Sequence, residues 1–423
     1  IDAGRLLEIQ SAHDLRTVQG NAADPEILQQ AGIADVSIVV AVTAIDEVNL
    51  VACKMCSLLN NKIKTIARIR SPQYNNTPIV QEGFDITHSF CPEQIVAENV
   101  NSAIAYPGCL SVHHFANRRL ALAAIRVSSK TDIAGSTIKE LRQQVAEIDY
   151  RIVSVYRDNK SITPTGDTRL FVGDDVYLLV VADKLKELTP FLAGIQNENK
   201  SIIIAGGGNI GKRVAARFEK NSNVKIIEIN RDRCRILSQE LSNALILKGS
   251  ATDEGLLKQE NIRESDIFCA LTSDDEENIL SAMLAKRLGV TKTAVLINRP
   301  AYADILGRQL DIVFSPSQIT IGSVLTHIRG FGEFNTMYSL QHGTAEAIEI
   351  NINDSAENSY FTGREIQEIE WPEDTLPGAI IRDAQILIAH DTTVIENKDH
   401  IICFISNKKA IVQLEKLISR KKE

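Results

Sequence analysis

The sequence predicts an α/β fold built twice: a doubly wound parallel-sheet domain followed by a small α+β lobe, then the same pair again. Three observations carry this. A passage beginning at Gly20 recurs at Gly249. Within each copy, strand-sized apolar runs alternate with stretches of helical period. After each copy the text changes to short strands punctuated by turn residues.

The recurrence sets the plan. "GNAADPEILQQAGIADVSIVVAVTAIDEVNL" opens at Gly20 and "GSATDEGLLKQENIRESDIFCALTSDDEENI" at Gly249, an offset of 229. On that diagonal Asp24/Asp253, Leu28/Leu257, Ile33/Ile262, Ile38/Ile267, Thr43/Thr272, Asp46/Asp275, Glu47/Glu276 and Asn49/Asn278 coincide. The ungapped alignment runs to Arg70/Arg299, after which a one-residue shift brings Pro72 onto Pro300 and Tyr74 onto Tyr302. Self-similarity of this kind marks a duplicated structural unit.

The second copy reads in order. "SIIIA" (201–205) is a strand, "GGGNIG" a glycine turn, and the residues after it a helix. "NVKIIEI" (223–229) is a β-branched strand and "RDRCRILSQEL" a polar helix with an apolar stripe. "ALILKG" is a strand, "DEGLLKQEN" a short helix, "DIFCALT" a strand, "ENILSAMLAKRLG" a helix and "TAVLIN" a strand. Strands that are apolar throughout, alternating with helices, imply a parallel sheet covered on both faces. In the first copy the opening pair Ile1-Asp2 corresponds to the strand end Ile227-Glu228, with 19 positions to Gly20 against 22 from Ile227 to Gly249. We therefore expect a first strand, glycine loop and helix to precede Ile1, since a sheet without its central strand leaves unpaired edges.

The lobes follow "NSAIAYPG" (101–108) and "LTHIRGFGEF" (325–334). "RIVSVYRDNKSITPTGDTRLFVGDDVYLLVV" (151–181) carries hairpin signals at Asp158-Asn159, Thr165-Gly166-Asp167 and Gly173-Asp174. Its partner is "AIIRDAQILIAHDTTVIENKDHIICFIS" (379–406), and an offset of 224 sets Asp167, Thr168 and Asp175 on Asp391, Thr392 and Asp399. The expected boundaries are 1–110 and 200–331 for the parallel-sheet domains, and 111–199 and 332–423 for the lobes.

Composition narrows the class. The chain has 423 residues, 44% apolar and 24% charged, ordinary values for a globular protein. A net charge of −8 argues against nucleic acid as a partner, because phosphates demand a basic footprint. The longest apolar runs, such as "VYLLVVA" (176–182), are strand-sized, far short of the ~20 residues a membrane helix needs. No membrane insertion is expected. The opening "IDAGRLLEIQ" lacks the basic start and apolar centre of a secretory signal. Seven scattered cysteines read as reduced thiols of a cytoplasmic protein.

Gly206-x-Gly208-x-x-Gly211 sits between a strand and a helix, and Glu228 ends the next strand 17 residues after Gly211. That context is what gives a Rossmann-like dinucleotide motif its meaning. Gly206 permits the tight turn, Gly208 the close approach of a pyrophosphate, and Gly211 the packing of helix on sheet. The helix N-terminus faces the phosphates. Glu228 can accept from ribose hydroxyls and repels a 2′-phosphate, favouring NAD over NADP, although Arg231 lies just beyond. Other strand ends border the same crevice: Gly249-Ser250, Thr272-Ser273 and Asn298-Arg299, mirrored by Gly20-Asn21, Thr43 and Arg70. Thr272 or Ser273 is expected to cap the helix at "DDEEN". The recurrence of Arg70 and Arg299 suggests an anion or interface contact.

Catalytic candidates are few. None of the eight histidines falls in a strand-end loop of the second copy, and His113-His114 read as solvated connector residues. Cys53-x-x-Cys56 becomes Ala282 and Ala285 on the duplication diagonal, which points to helix packing over metal or redox chemistry. Asp274-Asp275-Glu276-Glu277 reads as an acidic helix start before a cation site.

The order "IIIAGGGNIG", "IIEINRDR", "LILKGSATDEGLL" and "SDIFCALTSDDEENILSAMLAKRLG" resembles the RCK family, the nucleotide-binding (KTN) domains that regulate potassium conductance. Two such domains in tandem, each with an RCK C-terminal lobe, resemble the branch that serves bacterial Trk potassium uptake systems, over essentially the whole chain. The resemblance implies binding of NAD(H), and in some members ATP or ADP. By position it places the ligand on Gly206, Gly208, Asn209, Ile210, Gly211, Glu228, Ser250, Thr272 and Arg299, with Asp2, Thr43 and Arg70 as first-copy counterparts. It implies pairing through helices near 92–107 and 316–330. It also implies a homo-oligomeric ring, dimer or tetramer, beneath a TrkH-like potassium-transporting membrane partner at the inner face of the cell membrane. An NAD-dependent oxidoreductase, or a regulator of a different channel or efflux system, is the competing expectation.

Overall fold

In the computed structural model, which describes residues 3–418 other than 76, 130, 132, 159, 195–199, 300, 303–305, 307–308, 330–333, 341–344, 353–359, 384 and 408, the chain forms two units, Ile1–Ile95 and Val96–Glu423. Ile1, Asp2, Asn159 and Pro300 lie outside the described residues.

The first unit holds a parallel sheet of β1 (Ile38–Ala41), β2 (Lys64–Arg68) and β3 (His88–Phe90) in that order. The helix Asp46–Leu59 packs on it through Leu50, Ala52 and Cys53. Cys53 and Cys56 are fully buried, and burial together with the neighbouring Cys56 pushes the Cys53 thiol up to about 12. They serve packing, as the alanines at 282 and 285 suggested.

The second unit begins with an antiparallel sheet of β4 (Cys109–Phe115), β5 (Leu120–Arg126), β6 (Tyr150–Arg157), β7 (Lys160–Ile162) and β8 (Asp175–Val181), ordered β4-β5-β8-β6-β7. His113 and His114 belong to β4 and are half-buried, not solvated connector residues as expected. Burial, and His114 beside it, lower the His113 imidazole to about 4.

The parallel sheet of this unit contains β9 (Ser201–Ala205), β10 (Asn223–Glu228), β11 (Leu245–Lys248), β12 (Ile267–Ala270), β13 (Lys292–Leu296) and β14 (Ile312–Phe314), ordered β11-β10-β9-β12-β13-β14. Successive side chains of a strand alternate faces. Ile202 and Ile204 therefore join one core with Val214, Ile226 and Cys269, while Ile203 and Ala205 join the other with Phe268, Ala282 and Ala285. All three isoleucines are at most 1% exposed, and each buried side chain is worth about 1.5–3 kcal/mol. This is why "SIIIA" shows no polar alternation. β14 was not distinguished in the sequence; three residues become a strand through pairing of Val313 with Val295.

One face of this sheet is covered by a helix that precedes it by about a hundred residues. Val96, Ala97, Val100, Ala103 and Ile104 of the helix Pro92–Ala105 pack among Ile202, Ile204 and Leu296. Lys292, half-buried at the start of β13, donates to the Ala103 and Cys109 carbonyls at 3.2 Å each. The counterpart helix is Pro316–Arg329.

The last sheet comprises β15 (Phe334–Leu340), β16 (Ala345–Asn351), β17 (Thr375–Arg382), β18 (Gln385–Ile388) and β19 (His400–Ile405), ordered β15-β16-β19-β17-β18. This is the permutation of the first lobe. A fork repeats too: Arg157 donates twice to buried Asp174 at 2.8 and 2.7 Å, and Arg382 twice to buried Asp399 at 2.8 Å. The lobes therefore correspond at an offset of 225, with Asp174 matching Asp399, one position away from the expected register. The two lobes pack through a shared core that includes Leu122, Tyr177, Leu179, Ala347, Ile402 and Phe404.

Candidate functional site

From β9 the chain winds to β10 and β11 on one side and to β12 on the other. Ligands of open α/β sheets bind beyond the strand C-termini at such a switch point. Here the strand ends enclose a crevice of about 240 Å³, whose walls include Gly206, Gly208, Glu228, Gly249, Thr272 and Glu277.

Each glycine of the motif has a separate reason. Gly206 has φ +98°, and a Cβ there would sit 2.9 Å from the Leu271 oxygen and the Thr272 nitrogen. A Cβ at Gly211 would lie 2.0 Å from the Gly206 carbonyl oxygen, so the helix reaches the loop only without one. Gly208 is different: its Cβ would meet nothing within 4 Å, and its φ is −64°. Its lack of a side chain leaves the crevice open. The helix Asn209–Phe218 starts behind it with no side-chain cap, leaving its first N–H groups for a ligand. Asn209 is exposed, whereas Ile210 packs against the core and is not among the crevice walls.

Glu228 ends β10 with its carboxylate held from behind. Gly207 N donates to Oε2 and Asn230 N to Oε1, both at 2.8 Å. Arg233 Nε donates to the Gly207 carbonyl at 2.6 Å, tying the loop to the helix after β10. Each carboxylate oxygen keeps a second lone pair for a hydroxyl donor.

Thr272 N donates to Asn278 Oδ1 at 2.9 Å, and its hydroxyl reaches the same oxygen at 2.8 Å. The expected cap is corrected: Asp274, not Thr272 or Ser273, accepts from Glu277 N at 2.7 Å. The first unit repeats the clasp, with Thr43 N donating to Asn49 Oδ1 at 2.8 Å. Ser250 bonds Thr252 within the turn after β11, and the walls there are Gly249 and Ala251.

The pairing of Arg70 with Arg299 is also corrected. Asp275 accepts from the N–H groups of Asn298 and Arg299, and Asp46 from those of Arg70 and Ser71. Arg70 thus corresponds to Asn298, and Ser71 to Arg299. The helix is one residue longer in the first copy, 14 residues against 13, so the offset falls to 228 from Lys64/Lys292 onward. Arg299 lies outside the crevice walls, its guanidinium on Glu276 and the Tyr302 hydroxyl at 3.0 and 2.8 Å. Arg70 pairs with Glu93 at 3.0 Å.

The acidic helix start is structural, as expected, in three of its four members. Asp274 caps, Asp275 ties down the 298–299 turn, and Glu276 holds Arg299 and Tyr302. Among the described residues no cluster suits a metal ion. Glu277 instead lines the crevice, a placement sequence reasoning missed because its first-copy counterpart is Val48. A second cavity of about 460 Å³ lies between the lobes, with Lys139, Arg142, Tyr150, Arg151 and His390 in its walls.

These residues fit a dinucleotide: a turn free of side chains, an uncapped helix start and a carboxylate at the end of the second strand. The chain is similar to known proteins over nearly its whole length. The TrkA-N domain model matches residues 1–88 and 202–316, and the TrkA-C domain model 122–193. The Trk system potassium uptake proteins TrkA of Vibrio alginolyticus and Halomonas elongata are 40% and 39% identical, each spanning 98% of this chain and 92% of the relative. Among solved structures, the GsuK RCK domain aligns with TM-score 0.62 and the GsuK channel bound to NAD with 0.61, both at 19% identity over 99% of this chain, covering 88% and 73% of those chains. With that fold, that crevice and relatives matched over 92% of their length, the chain belongs to the TrkA family of Trk-system potassium uptake proteins.

Proposed function

We propose that this chain is the nucleotide-sensing regulatory subunit of a Trk-type potassium uptake system, and that its crevice reads NAD(H) as a signal without consuming it. The observation that carries the reading is the switch-point crevice itself: Gly208 opens it, the start of the helix Asn209–Phe218 faces it, and Glu228 closes its far side. The titratable side chains in its walls are two carboxylates, Glu228 and Glu277. An oxidoreductase needs a substrate held beside a group that moves the proton. ADP and ATP are the alternative ligands of the same crevice.

A nucleotide shifts a conformational equilibrium only through differential affinity for its states. A tenfold difference supplies about 1.4 kcal/mol per site, so several sites in a homo-oligomer suffice to switch a partner. The partner in this reading is a TrkH-like potassium-transporting membrane protein, met at the inner face of the membrane; no helix among the described residues is long and apolar enough to cross it. We place the four functional segments at 1–110, 111–199, 200–331 and 332–423, with Gly206, Gly208, Asn209, Gly211, Glu228 and Thr272 contacting the ligand.

The test is calorimetric titration of the protein with NADH, NAD, ATP and ADP, together with Glu228→Ala, followed by potassium flux in vesicles holding the transporter. Binding that weakens at least tenfold in the variant, an unchanged nucleotide after hours, and flux that responds to nucleotide are expected. Unresponsive flux defeats the regulatory role, and turnover of NADH with a small metabolite favours the oxidoreductase.

A further inference from the structure

Four consecutive acids open the helix Asp275–Arg287, and three are occupied by the protein itself. The fourth, Glu277, is half-buried in the crevice wall, and the described residues offer its carboxylate neither a hydrogen bond nor an ion pair. Its backbone N–H is taken by Asp274, while Asp275 and Glu276 spend their oxygens on the 298–302 segment. Burial and the charges of Asp274 and Glu228 push the Glu277 carboxyl above the usual range. A carboxylate held without a donor beside two others is unfavourable, and a ligand presenting hydroxyl donors relieves it.

The sheet order says which part of a ligand arrives there. Glu228 ends β10, on one side of β9; Glu277 rides the helix that follows β12, on the other side. A dinucleotide crosses the switch point with one nucleoside on each side, its pyrophosphate over the glycine turn between them. A mononucleotide held by the first side instead directs its terminal phosphates toward the second, where a carboxylate repels them.

We propose that Glu277 is a specificity-determining residue that accepts from the second ribose diol of a dinucleotide, so that this crevice selects a dinucleotide over a nucleoside di- or triphosphate. The inference rests on the nucleotide reading given above. It also makes the two copies unequal. The third residue of the corresponding first-copy helix Asp46–Leu59 is Val48, which offers a diol no acceptor and a phosphate no repulsion.

Titrating the full chain with NADH, NAD, ADP and ATP tests this, in wild type and in the Glu277→Gln, Glu277→Val and Glu228→Ala variants. Glu277→Gln keeps the shape of the side chain, and Glu277→Val copies the first-copy residue. The expected result is a tenfold or greater loss of NADH and NAD affinity in both Glu277 variants, with ADP within twofold of wild type and ATP bound more tightly. Glu228→Ala weakens NADH and ADP alike and so identifies the crevice's share of the isotherm. Glu277 variants that leave NADH unchanged, or that weaken NADH and ADP equally, overturn the inference while Glu228→Ala still upholds the nucleotide reading. A wild-type chain that binds none of the four, or a silent Glu228→Ala, overturns both.

Discussion

Replacing Gly211 with alanine sets a methyl carbon 2.0 Å from the carbonyl oxygen of Gly206. Carbon and oxygen in nonbonded contact stay about 3.3 Å apart, so more than ~1 Å must be found by moving main chain on both sides. Neither atom belongs to a flexible side chain that could swing away. Overpacking of this kind costs about 1–3 kcal/mol, and the backbone partners place Gly211→Ala toward the upper end. In open space the same change in a helix would gain up to about 1 kcal/mol. The expected net loss of about 2 kcal/mol lowers the thermal midpoint by roughly 4–8 °C. Gly208→Ala is the matched control three residues away: its methyl meets nothing within 4 Å at φ −64°. Its midpoint stays within about 2 °C of wild type, because the backbone is unstrained. Yet the methyl projects where the pyrophosphate must pass, so NADH affinity falls by more than tenfold. Differential scanning calorimetry and NADH titration on the pair separate the two roles. A Gly211→Ala protein that melts at or above the wild-type temperature refutes the packing argument, whatever happens to binding.

Two further outcomes follow from the geometry. Asp275→Ala strips an acceptor from the N–H groups of Asn298 and Arg299 and from Asn298 Nδ2, all at 2.8–2.9 Å, around a residue 4% exposed; urea unfolding should show a loss of about 2–3 kcal/mol, and a change below ~0.5 contradicts the assignment. Of the seven cysteines, Cys234 alone is not buried. Ellman's reagent at pH 8 should titrate one thiol in the native protein, more slowly than a free cysteine because burial and Glu228 push the Cys234 thiol up, and none in Cys234→Ser; a second reacting thiol would count against the packed cores.

The parallel sheet was legible because burial on both faces removes polar alternation from a strand, and β9 and β12 are apolar but for Ser201. The glycine turn was legible because its three glycines answer different steric demands at fixed spacing. Registers between the copies were harder. Arg70 and Arg299 coincide on the 229 diagonal by chance of type, and only the N–H groups that reach Asp46 and Asp275 show which residues correspond. The lobes slipped by one position for the same reason: Asp174 and Asp175 are adjacent and identical, and the fork from Arg157 decides between them. Glu277 could not be singled out by recurrence, since its counterpart is Val48. Ser250 and Arg299 were assigned from strand-end position and the family resemblance, and neither says how a turn or an ion pair redirects a side chain.

The helix Pro92–Ala105 is written in the first half of the chain but fills the core of the second half's sheet, with Lys292 holding its C-terminal end. During synthesis, Val96 and Val100 emerge about a hundred residues before Ile202 and Ile204, the side chains that cover them. At ~5–20 residues per second this leaves an apolar helix face uncovered for some 5–20 seconds. The second half expressed from residue 200 lacks the helix altogether and exposes the matching surface of its sheet. The duplication therefore did not yield two self-sufficient beads on a string: a break between the halves, by protease or by gene fission, costs the second half part of its own interior.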